Sequence, residues 1–410
     1  MARSAAVSTL PARSSILPTT AAAAPLTSSP ASTAEAASRG SPPINSDASG
    51  RYYIVQPHEC FHNGRYEALQ RIGKGVYSYV WLAKDLQQQS YVVLKFLTHD
   101  CYGGKHDIFE VEILQRVARE QTQLGDEIAT NFIKLLDVFD LSGPNGAHRC
   151  IVMPVLGCTI KTQVERFPDR RIPVSIMKEI VRQLLTGLAF LHNQCGVIDT
   201  DLQPNNILFE IGEGEIRRMA RGEFASAVTP TITPEEPGRI QIIDLGVASW
   251  IDKHLSDRIQ PVHLRAPEVI LGAPWGPPVD IWSLGCLVIE FVMGHLAFPA
   301  EGSKECGWTS EDAHLAQHME ILGLMPPELL KRGRWTRKYF DSQGNLIRIP
   351  ELHFTSLTET TDGSEAPMHR PREMGDEDLA WFVDFLRGAL MLDPERRKTA
   401  EELLRHEWLK

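Results

Sequence analysis

Apolar and polar positions alternate through residues 66–97, in YEALQRIGKG, YSYVWLAKD and YVVLKFL. A period of two puts every second side chain on one face of a pleated strand, so this stretch predicts three strands, the first running into a glycine turn. The period then lengthens. In residues 107–120, Ile108, Val111, Leu114 and Val117 recur in steps of three, which predicts a helix. Two further strands are expected in NFIKLLDVFDL and CIVMPVL, with Gly-Pro-Asn-Gly turning between them. The first third of the chain therefore reads as mostly β with one helix. Beyond residue 157, Ile176, Ile180, Leu184, Leu188 and Leu191 predict a long buried helix. It leads into VIDTDLQPNNILF at 197–209, and IQIIDLGVASW follows at 240–250. Both contain apolar runs that read as short buried strands. Residues 279–298 are apolar on most faces, which predicts a central helix, and further helices are expected at 376–392 and 399–409. The polar residues 210–239 read as an inserted loop, and 341–375 as loop-rich. No internal repeat is visible.

Composition narrows the class. The chain has 410 residues, enough for a core in more than one lobe. The formal net charge of −10 argues against a nucleic-acid binder and suits a basic partner. Seven cysteines, an odd number without any C-x-x-C pair, favour a reducing compartment over a disulfide framework or a zinc site. The longest apolar run, 286–293, is interrupted by Glu290 and is too short to span a bilayer. Residues 1–50 are rich in Ala, Ser, Thr and Pro and cannot bury enough surface to offset their ordering entropy, so a disordered tail is expected. Arg3 and Arg13 with no acid before Glu35 also give this tail a transit-peptide character.

The candidate chemistry lies where the apolar runs end. Asp201, Asn206 and Asp244 emerge together at strand ends, an arrangement suited to holding Mg²⁺ on a nucleotide, because Mg²⁺ takes a few carboxylate or amide oxygens plus phosphates. Ile72, Gly73, Lys74, Gly75, Val76, Tyr77, Ser78, Tyr79 and Val80 lie between two strand patterns, and glycines there let backbone N–H groups approach a phosphate. Taken alone, a lone G-x-G reads first as a hairpin turn, and Lys95 at the end of the next strand as a solvated lysine.

Together these pieces resemble the protein kinases, with the order glycine loop, strand lysine, H-R-D-x-x-x-x-N and D-F-G. Arg265-Ala266-Pro267-Glu268, Asp280-Ile281-Trp282-Ser283-Leu284-Gly285 and Asp393-Pro394-Glu395-Arg396-Arg397 resemble later motifs of the same family. The resemblance implies an α+β, two-lobed kinase fold over residues 60–410, with a β-rich lobe at about 60–156, a helical lobe at about 157–410 and a hinge near 154–157. It implies ATP bound between the lobes at residues 72–80 and Lys95. Lys95 would pair with Glu110, Asp201 would be the catalytic base, Asn206 and Asp244 would hold Mg²⁺, and Glu268 would form a buried structural pair with Arg397.

Within the kinases the chain resembles the SR-protein kinases, which phosphorylate Arg-Ser-rich proteins. The resemblance lies in Ser78 at the third glycine position, the V-W-L-A that follows, DLGVASWIDKHLSDRIQP, residues 313–349 and the terminal LRHEWL. It implies a serine/threonine protein kinase with a basic Arg-Ser-rich protein substrate, no nucleic-acid or membrane partner, a monomeric state, and a cytoplasmic or nuclear location. Glu311 and Asp312 are candidates for an acidic groove that holds such a substrate. Three positions depart from the common pattern. Thr200 replaces the arginine that reads a phosphorylated activation loop, so activity without loop phosphorylation is expected. Asp199 replaces histidine and adds negative charge near Asp201 and Asp244. Gln203 replaces the lysine that touches the transferred phosphate. The last two favour an alternative, a pseudokinase scaffold that binds nucleotide with weak or no transfer. The intact set Lys95, Asp201, Asn206 and Asp244 opposes it.

Overall fold

The computed structural model describes residues 50–102, 108–125, 130–222, 230–363 and 369–410. The tail reading, for residues 1–49, lies outside the described residues. The first lobe is a six-stranded antiparallel sheet with strands β1 (Cys60–Phe61), β2 (Tyr66–Lys74), β3 (Ser78–Asp85), β4 (Ser90–Leu97), β5 (Asp137–Gly143) and β6 (Gly146–Met153), in the order β1-β2-β3-β4-β6-β5. The period-two pattern gives this sheet two apolar faces. Trp81, Ala83, Leu94 and Phe96 join an aromatic core with Phe61, Tyr66 and Phe139. Leu82 and Val93 point the other way, toward Val155 and Met219. Lys95 alternates with Leu94 and Phe96 and so belongs to this second face. Its backbone is held on both sides, opposite Val80 of β3 and Ile151 of β6. The strand expected over 131–141 begins only at Asp137. Residues before it contribute an isolated bridge from Phe132 to Ile242.

Helix α1 (Glu110–Leu124) follows β4. Ile108, Val111, Leu114 and Val117 are all buried, as their spacing predicted, although Ile108 precedes the first helical turn. The chain leaves β6 and enters the second lobe through residues 154–159. Gly157 is obligatory there, because a Cβ would lie 2.5 Å from the Ile211 side chain.

The second lobe contains α2 (Ile160–Val164) and α3 (Val174–Phe190), then strands β7 (Val197–Ile198) and β8 (Ile207–Phe209), and α4 (Glu213–Ala220). Strands β9 (Ile240–Ile242) and β10 (Ser249–Trp250) precede α5 (Pro267–Leu271) and α6 (Pro278–Met293). It closes with α7 (Ser310–Leu322), α8 (Pro327–Arg332), α9 (Thr336–Tyr339), α10 (Leu357–Thr361), α11 (Asp376–Ala389) and α12 (Ala400–Leu404). Every residue of α6 except Pro278 and Glu290 is buried, and α3 and α11 pack against it. A single large core runs from Leu97 and α1 through α3 and α6 to Trp408. Among the described residues no helix is long and apolar enough to cross a membrane.

Two expectations need correction. Residues 210–239 are not simply a loop, since α4 lies within them. Ile216, Met219 and Ala220 fall at helical spacing and pack against Leu82, Val93 and Val155, while Gln70 Nε2 donates to Met219 O at 2.7 Å. The charged residues of EGEIRRMA occupy its other face, which hid this short apolar stripe. The helix expected over 399–409 divides into α12 and a separate 3-10 turn at Glu407–Leu409.

Candidate active site

Two small antiparallel pairings bring distant segments together. Ile198 of β7 pairs with Ser249 of β10, and Ile207 of β8 pairs with Ile242 of β9. The polar loop 199–206 and the turn 243–248 therefore leave adjoining ladders. Asp244 adopts φ 64° and Thr200 φ 65°, the left-handed region that L-residues seldom occupy. These are the positions where buried strands must turn at once to present a carboxylate.

The upper wall is built on Lys95. Its Nζ donates to Glu110 Oε1, and at 2.8 Å to Asp244 Oδ1. Burial opposes the lysine's charge, but the carboxylates of Asp244 and Glu110 outweigh it and hold the Lys95 pKa above its ordinary value. The Lys95 charge in turn keeps Asp244 ionised below the usual carboxylate range. Glu110 is buried, and its Oε2 has no hydrogen-bond partner among the described residues. Burial therefore raises its pKa even with the lysine adjacent. Above this wall the β2–β3 hairpin pairs Gly73 with Val80 and Lys74 with Tyr79. Its tip is closed by Gly75 N donating to Ser78 O at 2.8 Å. Ser78 is buried in strand geometry opposite Leu97, so this position does not need the freedom of glycine.

The lower wall is the loop 199–206. Asp201 Oδ2 accepts from Gln203 Nε2 at 2.7 Å and from Asn206 Nδ2 at 3.0 Å. Burial pushes the Asp201 pKa up to about 6. The Gln203 and Asn206 hydrogen bonds lower it, and the Asp244 charge raises it. The loop is held from beneath by Asp280 of α6, whose carboxylate accepts the amides of Asp199 (2.8 Å) and Thr200 (2.9 Å) and lies 2.8 Å from His192 Nε2.

Asp199 Oδ1 accepts the Asp201 amide at 2.9 Å, and Asp199 Oδ2 has no partner among the described residues. Burial, reinforced by Asp280 and Asp201, pushes its pKa well above the carboxylate range. Burial beside Asp280 and Asp201 thus disfavours the charged form of Asp199, against the added negative charge expected from the sequence.

The structure also revises the acidic groove. Asp312 is buried, caps α7 through Thr309, and pairs with Arg348 at 2.8 Å. Glu311 is engaged by Arg258 at 2.8 Å. A helix N-terminus satisfies its own amides with such acids, so Asp312 serves the fold, whereas the partner of Glu311 is a largely exposed arginine. By contrast, Arg397 meets both oxygens of Glu268 at 2.7 and 3.1 Å with both side chains fully buried.

Gln260 had no signal in the sequence. At φ 64°, its N donates to Thr200 O at 3.1 Å, its Nε2 to Val279 O and Ser283 Oγ at 2.8 and 2.9 Å, and its Oε1 accepts from Ala266 N at 3.0 Å. Arg265 donates to Ile259 O and Gln260 O. Only the folded path of residues 259–266 shows that one glutamine ties this segment to α6.

Comparison with known proteins agrees with this geometry. The family described as "Protein kinase domain" matches residues 66–409. Serine/threonine-protein kinase SRPK of Physarum polycephalum is 30% identical, over 88% of this chain and 89% of its own. Protein kinase dsk1 of Schizosaccharomyces pombe is 27% identical, over 88% and 83% respectively. SRSF protein kinase 3 of Mus musculus is 25% identical, over 88% and 89%. With its antiparallel first lobe, helical second lobe and these relatives, the chain belongs to the protein kinase family, as a serine/threonine kinase of the SRPK type.

Proposed function

We propose that this kinase transfers the γ-phosphoryl group of ATP to serine hydroxyls in Arg-Ser-rich protein segments, with Asp201 as the base and Mg²⁺ held by Asn206 and Asp244. The observation that carries this reading is the convergence of the Lys95–Glu110–Asp244 cluster with the Asp201–Gln203–Asn206 cluster from adjoining strand pairs. Membership of the kinase family implies ATP as the donor.

The residues present fit the cation. Asp244 is 48% exposed, and Lys95 engages only its Oδ1. The Asn206 Nδ2 is spent on Asp201, which leaves its amide oxygen as the donor. A carboxylate and an amide oxygen suit Mg²⁺, whose remaining ligands are phosphates and water. When bound, the ion offsets the charge on the phosphates.

The protein's own contribution is positioning. Glu110 holds Lys95 toward the phosphates, and the hairpin of residues 72–80 covers them with backbone N–H groups. Asp201 accepts the proton of the substrate hydroxyl as that oxygen bonds to the γ-phosphorus. The bond from phosphorus to the bridging oxygen breaks, and ADP departs with that electron pair. Gln203 orients Asp201 Oδ2 with one amide hydrogen, and its other hydrogen serves the transferred phosphate without a charge. The net charge of −10 and relatives named for SR-protein substrates support a basic substrate.

Activity needs no phosphorylated activation segment. Thr200 cannot read a phosphate, and Gln260 and Arg265 already hold residues 259–266. Ser249 is buried, with its Oγ accepting the Leu255 amide.

The test is transfer from ATP–Mg²⁺ to an Arg-Ser repeat peptide, wild type beside Asp201→Ala, each with and without phosphatase treatment. Loss of a general base predicts a fall of about 10²–10⁴ in kcat. Undiminished transfer by the variant would exclude Asp201 as the base. Equal rates on a peptide with Arg replaced by Ala would exclude the basic specificity, and loss of activity after phosphatase would exclude phosphorylation-independence.

A further inference from the structure

Residues 51–53 run outside the sheet as a strap ahead of β1. We propose that Tyr52 is a positioning residue for the ATP phosphates, its hydroxyl gripping the tip of the glycine hairpin so that two backbone N–H groups face the side that carries Lys95. This rests on the kinase reading above.

The Tyr52 hydroxyl lies 3.0 Å from Gly75 O and 2.8 Å from Val76 O. It has one proton, which these two carbonyls share. In a planar trans peptide the C=O and N–H point in opposite directions. Fixing these two carbonyls therefore aims the N–H groups of Val76 and Tyr77 away from Tyr52. The side they face follows from the pleat. The Tyr52 ring stacks on Tyr79, with centroids 4.3 Å apart and planes at 28°. Tyr79 packs on the aromatic face with Leu94 and Phe96, whereas Lys95 alternates with those two and lies on the opposite face. Tyr52 thus grips the hairpin from outside, and the N–H groups point inward, where a phosphate approaches Lys95.

The strap is itself anchored, and its anchors lie away from the nucleotide. The Arg51 guanidinium donates to both oxygens of Asp100 at 3.0 and 3.2 Å, and its carbonyl accepts from His99 N at 3.2 Å. Asn145 Nδ2, in the β5–β6 turn, donates to Tyr52 O at 2.8 Å. Tyr53 lies flat against Phe96, and a Cβ on Gly143 would come within 2.8 Å of its ring, so glycine at 143 makes room for the strap. The hairpin tip needs such support. Gly73 and Gly75 increase its freedom, and Val76 at the tip is 68% exposed. A tip ordered before ATP arrives binds phosphate without paying that entropy on binding.

Tyr52→Phe keeps the ring on Tyr79 and removes only the hydroxyl. Loss of one hydrogen bond predicts a rise of about three- to tenfold in KM for ATP, with KM for the peptide unchanged. Amide hydrogen exchange at residues 73–78 should quicken, while the melting temperature holds. Asn145→Ala loosens the strap without touching hairpin or hydroxyl and should raise KM for ATP in the same sense but less. Calorimetry of ATP–Mg²⁺ binding separates this inference from the kinase reading. Equal binding and equal exchange in wild type and Tyr52→Phe would overturn the strap alone. A parallel rise in both KM values with a lower melting temperature would reduce Tyr52 to a structural role and overturn it too. Absence of nucleotide binding by the wild type would overturn both readings.

Discussion

Two buried pairs of opposite charge are made from similar parts and left in different states. Arg397 and Glu268 are fully enclosed, and Arg397 Nε and Nη1 also donate to Met391 O and Pro278 O, so every nitrogen of the guanidinium has a partner within the protein. Lys95 and Glu110 are buried as well, but Glu110 keeps a bare oxygen and Asp244, the third member, is half exposed. A sealed pair has exchanged water for complete internal bonding and can only stabilise the fold. An open cluster retains charge that a ligand completes. The difference lies less in residue type than in whether one member faces the cleft.

Breaking each cluster should therefore damage a different property. The largest effect is expected for Arg397→Met. It strands Glu268 in a fully buried site and should cost about 3–5 kcal/mol, read as a lower urea midpoint. Adding Glu268→Gln should recover part of that loss, since no charge is then left unpaired.

Asp244→Asn comes next and should separate the two clusters most sharply. It keeps the shape and an acceptor for Lys95 but removes a charge that faces the cleft. Transfer should fall by about 10²–10³ in kcat, while the urea midpoint barely moves. A large stability loss in this variant would show that the open cluster is structural after all.

A further effect is graded with pH and arises beside the sealed pair, at the Trp282 ring that Arg397 also faces. His314 and His318 are buried side by side in α7, ring centroids 4.2 Å apart, against Trp282 and Phe298. Burial, with Arg265 and His263 near one and His314 and Arg397 near the other, lowers both pKa values, that of His314 to about 3. Both rings are neutral when folded, whereas unfolded histidines take up protons below about pH 6.5. The stability they confer is complete above that value and is lost as pH falls below it, for His314 until about pH 3. Each contributes a slope of about 1.4 kcal/mol per pH unit, which urea unfolding across this range should reveal. His318→Phe should flatten the slope, and an unchanged slope would assign it to other groups.

Much of the site could be read from the chain because local rules placed its elements and the kinase resemblance assigned their residues. Lys95 lay in an alternating strand, the helix beginning at Glu110 showed steps of three, and Asp201, Asn206 and Asp244 ended apolar runs. Each of these signals spans fewer than twenty residues. Helix α4 escaped because a three-residue apolar stripe among charges is too short to stand out. Asp312 was misread for the converse reason, since acids at a helix start look alike whether they face a substrate or cap the helix. Gln260 and Tyr52 were silent, because a glutamine in a loop and a tyrosine near a tail have no period.

By itself the sequence determined the order of strands and helices, because periodicity and turn chemistry act between near neighbours, while the two-lobed class and the meeting of Lys95, Glu110, Asp201, Asn206 and Asp244 came from its resemblance to the protein kinases. The tertiary structure alone decided how those groups are electrically set. It buried Asp199 beside Asp280 and so disfavoured its charge, turned Gln203 onto Asp201, and laid Tyr52 over the glycine hairpin. Charge state and side-chain partnership depend on burial and on atoms scores of residues away, and those distances exist only once the chain has folded.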